Sequence, residues 1–167
     1  LLCESFKGST IEELILRDVG MGVNGVASLA GAIKFMAVLT SINCLMNPIG
    51  EDGLATLVSA VKDSSVRSIC GLTEGQTAAD FSGMGLGPFD CKIMKAEFDF
   101  RGAIAFVNSL TVDSSGVPAE YSCGSLVDGT GPKTYTLTAG GETIDLSNMN
   151  LGSADVALVA SWLRQPE

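Results

Sequence analysis

Residues 39–62, LTSINCLMNPIGEDGLATLVSAVK, contain two apolar patterns in succession. The first half spaces its apolar residues as in a short strand and then adds an asparagine: Leu39, Ile42, Cys44, Asn47 and Ile49. The second half repeats at i, i+3, i+4 and i+7, the spacing of the buried face of an amphipathic helix: Leu54, Leu57, Val58 and Val61. The stretch therefore predicts a strand, a turn and a helix. Such a unit can bury its apolar face only against a neighbour of the same shape.

A copy of this pattern lies about 28 residues upstream. Its strand positions are Ile11, Leu14, Leu16 and Met21, and its helix positions are Val26, Leu29, Ala30 and Ile33. Because strand and helix positions repeat at one offset, the two segments predict consecutive units of a repeat. Val19 stands where the second unit has Asn47, so we expect the turn of the first unit to be less well fixed.

Two further units are predicted downstream, and both are interrupted. A third strand is expected at residues 66–69, followed by an inserted hairpin-like turn at residues 73–75. The segments FSGMGLG from Phe81 and LSNMNLG from Leu146 align, and Asp90 and Asp155 follow them at equal distances. Residues 113–132, rich in Ser, Gly, Pro and Asp, offer little apolar material and predict a mobile inserted loop.

These residues resemble the leucine-rich repeats of ribonuclease-inhibitor-type proteins, whose frame L-x-x-L-x-L-x-x-N/C-x-L fits residues 39–49 position by position. The resemblance is good over residues 11–62, recognisable over 76–98 and 141–163, and absent over 113–132. Residues 68–90, SICGLTEGQTAADFSGMGLGPFD, are also similar to an insertion in repeat proteins of algae and other protists.

The resemblance implies an α/β leucine-rich-repeat solenoid, a right-handed β-α superhelix with parallel strands on the concave face and helices outside. It implies a single domain over residues 1–167, with about four repeat units. Neither end supplies the polar cap that solenoids need, so we expect the chain to be truncated at both ends.

Family members bind other proteins through the concave face, and the resemblance carries over this surface but no named partner. Strand side chains alternate, so the residues between buried positions are expected to line that face. The expected partner-binding residues are Glu13, Ile15, Arg17, Asp18, Asn43, Leu45, Met46, Asp80 and Asp145, beside Ser41, Ser68, Cys70, Ser82 and Ser147. Apolar anchors among charges suit a protein partner. We therefore expect a non-catalytic protein-protein interaction scaffold.

Other functions stay open. The resemblance allows a GTPase-activating protein similar to the Ran activator, but Arg17 and Arg101 lie in no motif that would present an arginine to a nucleotide. A structural subunit of a larger assembly is a further alternative. Asp80 and Asp145 occupy equivalent positions, yet no nucleophile or third ligand accompanies them. Residues 83–87 are glycine-rich before a helix, but the Lys-Ser/Thr of a P-loop is missing.

Composition narrows the classes of partner. The 167 residues are 46% hydrophobic and 17% charged, enough for one domain-sized core. A net charge of −9 without a basic cluster would repel phosphate backbones, so we expect no nucleic acid and instead a protein partner with a basic patch. No apolar run approaches the roughly 20 residues that cross a bilayer. No membrane span is predicted.

Cysteine usage predicts a reducing compartment. The five cysteines are scattered without a C-x-x-C pair, and the chain has no histidine. Zinc sites of the usual kinds are therefore not expected, and the odd count points to reduced thiols. We expect a cytoplasmic protein without cofactor, metal or catalytic residues.

Overall fold

The computed structural model describes residues 8–100, 107–116 and 131–164. Strands and helices alternate along the first part of the chain, as the repeat spacing predicts. The elements in order are β1 (Glu13–Ile15), α1 (Val23–Ile33), β2 (Ser41–Asn43), α2 (Gly50–Lys62), β3 (Ala78–Asp80), α3 (Pro88–Phe100), β4 (Ser109–Asp113), β5 (Thr134–Thr138) and α4 (Ser153–Trp162).

The strands form two separate sheets. β1 and β2 pair in parallel, with Glu13 opposite Ser41 and Ile15 opposite Asn43, and this confirms the predicted pairing of the first two strands. In the second sheet β3 pairs with β4 in parallel, but β4 pairs with β5 antiparallel. The third strand, predicted at residues 66–69, is not a regular strand, but the chain there runs beside β2. Isolated bridges join Ser41 to Ser68 and Asn43 to Cys70, and the Ile42 N–H donates to the Ser68 carbonyl at 2.8 Å.

The prediction of a leucine-rich-repeat solenoid is wrong. The described residues form a small mixed α/β fold of four helices and two short sheets, not a repeat array with one continuous parallel sheet. The first ladder ends at Gly71, whose φ of +82° turns the chain out of strand geometry. The antiparallel β5 closes the second sheet in a way that a parallel solenoid does not allow. A concave face running through four units therefore does not exist.

The helices pack in pairs over one continuous apolar core. α1 lies against α2 and α3 against α4. The rings of Phe98 and Trp162 meet edge to face at 5.4 Å between centroids, which fixes α3 against α4. Fully buried side chains come from both halves of the chain and include Ile33, Ile42, Leu57, Ile93, Leu110 and Leu158.

The alignment of the four units predicts that four residues are buried at equivalent positions: Leu16, Cys44, Phe81 and Leu146. Cys44 and Phe81 are buried, and these two predictions are confirmed. Leu16 and Leu146 are only half-buried, so the prediction is wrong for them. Leu16 follows β1, which has no strand on its outer side in the described part of the chain. Leu146 lies in an irregular segment after β5 and packs against the edge of the core.

The predicted mobile loop falls largely on residues 117–130, which lie outside the described residues. Its described ends are hydrogen-bonded. Asp113 belongs to β4, and Ser114 exchanges hydrogen bonds with Lys133, its N–H donating to the Lys133 carbonyl at 2.9 Å. The Gly116 N–H donates to the Asn150 carbonyl at 3.1 Å.

None of the helices in the described ranges is long and apolar enough to cross a membrane.

Candidate functional site

Four exposed positions lie along β1 and the turn that follows it: Glu13, Ile15, Arg17 and Asp18, here called the edge strip. Ile15 has 74% of its surface exposed, the largest value among the exposed large apolar side chains of the described residues. Beyond the strand the backbone still follows β2, because the Leu16 N–H donates to the Asn43 carbonyl at 2.9 Å and the Asp18 N–H to the Leu45 carbonyl at 3.2 Å. The edge strip thus begins on β1 and continues into a turn that is still hydrogen-bonded to the chain after β2.

The buried side chain of Asn47 fixes the turn after the edge strip. Its Nδ2 donates to the carbonyl of Leu16 at 2.7 Å, and its Oδ1 accepts the N–H groups of Val19 at 3.2 Å and Met21 at 2.8 Å. An asparagine from the second unit therefore satisfies the turn of the first. The prediction of a poorly fixed turn, made because Val19 replaces the asparagine, is wrong for this reason.

Asn43 and Met46 border the edge strip and are half-buried. The Asn43 Oδ1 accepts the Leu45 N–H at 3.2 Å, and a Cβ added to Gly71 would lie 2.8 Å from the Asn43 Nδ2, so Asn43 is held closely from both sides. Met46 adopts φ 60°, and its N–H donates to the Asp90 Oδ1 at 2.6 Å. The two side chains are therefore available only in part.

Several residues expected on the exposed face are buried. Leu45 has no exposed surface, because the strand ends at Asn43 and the alternation of side chains ends with it. Ser41, Ser68 and Cys70 are buried as well. Their assignment to a partner-binding face is wrong.

The structure does not bring Asp80 and Asp145 to the edge strip. Asp80 lies on β3 of the second sheet, and Asp145 lies in the irregular segment after β5. Each is exposed and accepts a hydrogen bond from the N–H of the serine two residues later, at 2.9 Å in both cases. The hydrogen bonds from Ser82 hold the pKa of Asp80 below its ordinary value, and those from Ser147 do the same for Asp145. Both carboxylates stabilise local turns.

Three buried carboxylates were not expected from the sequence: Asp90, Glu97 and Asp155. The Glu97 Oε1 accepts the hydroxyl of Ser68 at 2.6 Å, and its Oε2 accepts the N–H groups of Ile69 at 3.0 Å and Cys70 at 2.6 Å. Burial raises the pKa of Glu97, although these hydrogen bonds oppose the rise. The sequence did contain a signal for the burial of Glu97, because this residue lies between Met94 and Phe98 on the apolar face of α3.

These carboxylates are engaged in hydrogen bonds that hold backbone groups of the fold. Within residues 8–100, 107–116 and 131–164 there is no group of three or more His, Cys, Asp or Glu side chains that could hold a metal ion. The thiols of Cys44, Cys70 and Cys91 are free and buried. Burial, with a smaller contribution from nearby carboxylates, raises the pKa of Cys44 and of Cys91 to about 12 and that of Cys70 well above its usual range. Such thiols are poor nucleophiles.

The edge strip is the exposed part of the predicted surface that the fold keeps together, and the half-buried Asn43 and Met46 border it. No protein-family model, curated protein or solved structure matches this chain.

Proposed function

We propose that this protein is a non-catalytic protein-protein interaction module that binds its partner through the edge strip, with Asn43 and Met46 at its border. The observation that carries the proposal is the exposure of Ile15 between two charged residues, Glu13 and Arg17. Exposure of a branched apolar side chain to water is unfavourable, so burying it against a partner's surface contributes to binding. The flanking charges fix the orientation of the partner.

The partner is expected to present basic groups to this surface. The chain carries a net charge of −9, and Glu13 and Asp18 are exposed within the edge strip. A basic patch on the partner would be attracted from a distance, and salt would slow the association by screening that attraction. The free thiols of Cys44, Cys70 and Cys91 support the accompanying proposal of a reducing, cytoplasmic location.

Charge changes in the edge strip test the proposal. Glu13→Lys combined with Asp18→Asn removes both acidic groups, and asparagine tolerates the φ of 54° at position 18. We expect this variant, immobilised as bait in a cell extract, to recover much less of the partner that the unaltered protein captures. Its thermal unfolding midpoint should stay nearly unchanged, because both positions are exposed.

The matched control is Glu74→Lys combined with Glu142→Gln, which changes the net charge equally at exposed positions outside the edge strip. Capture should survive in the control. If the control loses the partner while the edge-strip variant keeps it, the binding surface lies elsewhere and the proposal is wrong.

A further inference from the structure

β1 is an open edge of the first sheet in the described part of the chain. The backbone groups of Glu12, Leu16 and Asp18 point toward β2: the Glu12 carbonyl accepts the N–H of Thr40 at 2.8 Å, and the Leu16 and Asp18 N–H groups donate across the ladder. Because backbone groups alternate along a strand, those of Glu13 and Ile15 point away from β2. Arg17 lies just beyond the strand, between the Leu16 and Asp18 N–H groups that donate toward β2. An open edge of this kind can accept a further strand.

The side chains along this edge also have no partner among the described residues. Neither the Glu13 carboxylate nor the Arg17 guanidinium takes part in the ion pairs of residues 8–100, 107–116 and 131–164. Ile15 between them is mostly exposed. Along this edge an acidic side chain, an apolar side chain and a basic side chain therefore follow one another: Glu13, Ile15 and Arg17.

This order is complementary to itself when the strand is reversed. If two copies pair antiparallel with Ile15 opposite Ile15, Glu13 of each copy lies opposite Arg17 of the other, and residues directly opposite each other interact across the strands. Shifting the register by two residues, with Glu13 opposite Ile15, leaves both charges without a partner. The left-handed φ of 54° at Asp18 turns the chain away and ends the pairing at Arg17.

We propose that a second copy of this chain docks on β1 in this antiparallel register, joining two first sheets into one four-stranded sheet. The inference rests on the proposed function, since it names the partner of the edge strip: Arg17 of the second copy is the basic group that meets Glu13. Because each copy carries a net charge of −9, these local contacts hold the pair together in place of the long-range attraction expected for a basic partner. A pairing of so few residues makes a small, low-affinity interface, so the dimer should form in a concentration-dependent way.

Reciprocal charge changes test this register in the full 167-residue chain. Sedimentation equilibrium of the unaltered protein, from low micromolar to near-millimolar concentration, should show reversible dimerisation. Glu13→Arg and Arg17→Glu each place like charges opposite one another, and each should raise the dimer dissociation constant by about tenfold or more. An equimolar mixture of these two variants restores both opposite-charge contacts and should recover dimerisation. Glu74→Arg, an exposed change outside the strip, is the control and should dimerise normally.

A monomeric unaltered protein over the whole range would overturn the inference, and so would a mixture that stays monomeric or single variants that still dimerise. Circular dichroism and thermal unfolding of each variant establish that it is folded. The capture experiment above keeps the two proposals apart. If the unaltered chain is monomeric but the edge strip still captures another protein, the second-copy inference fails while the proposed function stands.

Discussion

Asp155 accepts hydrogen bonds from three parts of the chain although it has no contact with solvent. Its Oδ2 accepts the N–H of Gly152 at 2.7 Å and that of Ser115 at 2.9 Å, and its Oδ1 accepts the hydroxyl of Tyr135 at 3.1 Å. One carboxylate therefore caps the start of α4, holds the end of β4 and anchors a side chain of β5. Asp90 does part of the same work for α3, where it accepts the Gly87 N–H at 2.9 Å.

We expect Asp155→Asn to lower the free energy of unfolding by about 2–3 kcal/mol, since the amide keeps the size of the side chain but loses the charge and one acceptor. Chemical denaturation followed by circular dichroism measures this loss. Asp63→Asn is the matched control, because that carboxylate is exposed, and its unfolding midpoint should hardly move. Equal behaviour of the two variants would mean that the Asp155 hydrogen bonds are not important for stability.

At the scale of elements, the turns before α3 and α4 share one backbone conformation with different residues. Gly83 and Gly85 have φ of 68° and 70°, and the aligned Asn148 and Asn150 have φ of 59° and 51°. Asparagine is among the few residues with side chains that tolerate this left-handed region. The two aligned segments therefore form the same turn.

Substitution at Gly83 should therefore depend on conformational strain alone, because a Cβ there would meet no atom within 4 Å. We expect Gly83→Ala to cost about 1 kcal/mol and Gly83→Asn to cost less, as its counterpart Asn148 suggests. Urea titrations of both variants would check the order. An alanine variant as stable as the asparagine variant would contradict it.

The pairing of α3 with α4 depends on Trp162, which is buried against the edge of Phe98. Trp162→Ala should destabilise the protein by about 3–5 kcal/mol, because it removes a large buried side chain and leaves a cavity. Leu163→Ala, at the next position and 63% exposed, should stay within about 0.5 kcal/mol of the unaltered protein. A thermal or chemical denaturation series that gave similar losses for both would show that the two helices do not pack as described.

At the scale of the whole molecule, α3 joins the first half of the chain to the second through polar contacts. Asp90 accepts the Met46 N–H, Lys92 pairs with Glu51 at the surface, and Glu97 satisfies the backbone of residues 69 and 70. The exposed pair adds little to stability, whereas the buried carboxylates hold backbone groups that no strand pairs.

The stability of the protein should carry a pH dependence from Glu97. Burial raises its pKa in the folded state above the usual 4.5, so the folded state binds the proton more tightly than the unfolded state. The stability gained from this tighter proton binding is fully present below the pKa of Glu97 in the unfolded state. It is lost as the pH rises through the raised pKa of Glu97 in the folded state. The free energy of unfolding should therefore fall, relative to that of Glu97→Gln, as the pH rises through this window.

Denaturation of both proteins at a series of pH values measures this difference. Glu142→Gln, at an exposed position, is the control and should differ from the unaltered protein by a constant amount across the series. A constant difference for Glu97→Gln as well, or a gain in stability of the unaltered protein with rising pH, would refute the expectation.

Much of the local structure could be predicted from periodicity, while the arrangement of the second half could not. The i, i+3, i+4 spacing located α1 and α2, and the common offset predicted the parallel pairing of β1 with β2. Apolar alternation carries no information about strand direction, so the antiparallel β5 was not foreseeable from it. The same limit explains why a repeat array was predicted where two sheets exist.

The site was predictable where the strand persists and not beyond it. The alternation of side chains correctly predicted that Glu13 and Ile15 on β1 are exposed. The same rule wrongly predicted that Leu45 is exposed, because β2 ends at Asn43. Glu97 was missed since residue type alone suggests a surface glutamate, and only the fold brings the unpaired N–H groups of residues 69 and 70 to it.

Because Cys44, Cys70 and Cys91 are buried, their reaction with a thiol reagent can measure partial unfolding of the protein. A protonated, enclosed thiol reacts with an alkylating reagent only when the structure around it separates, so its modification rate measures the frequency of that event. Cys44 and Cys70 lie in the first half, and Cys91 lies on α3. Mapping alkylated sites by peptide mass spectrometry during brief labelling would therefore reveal whether the halves open together or one before the other, without any engineered probe.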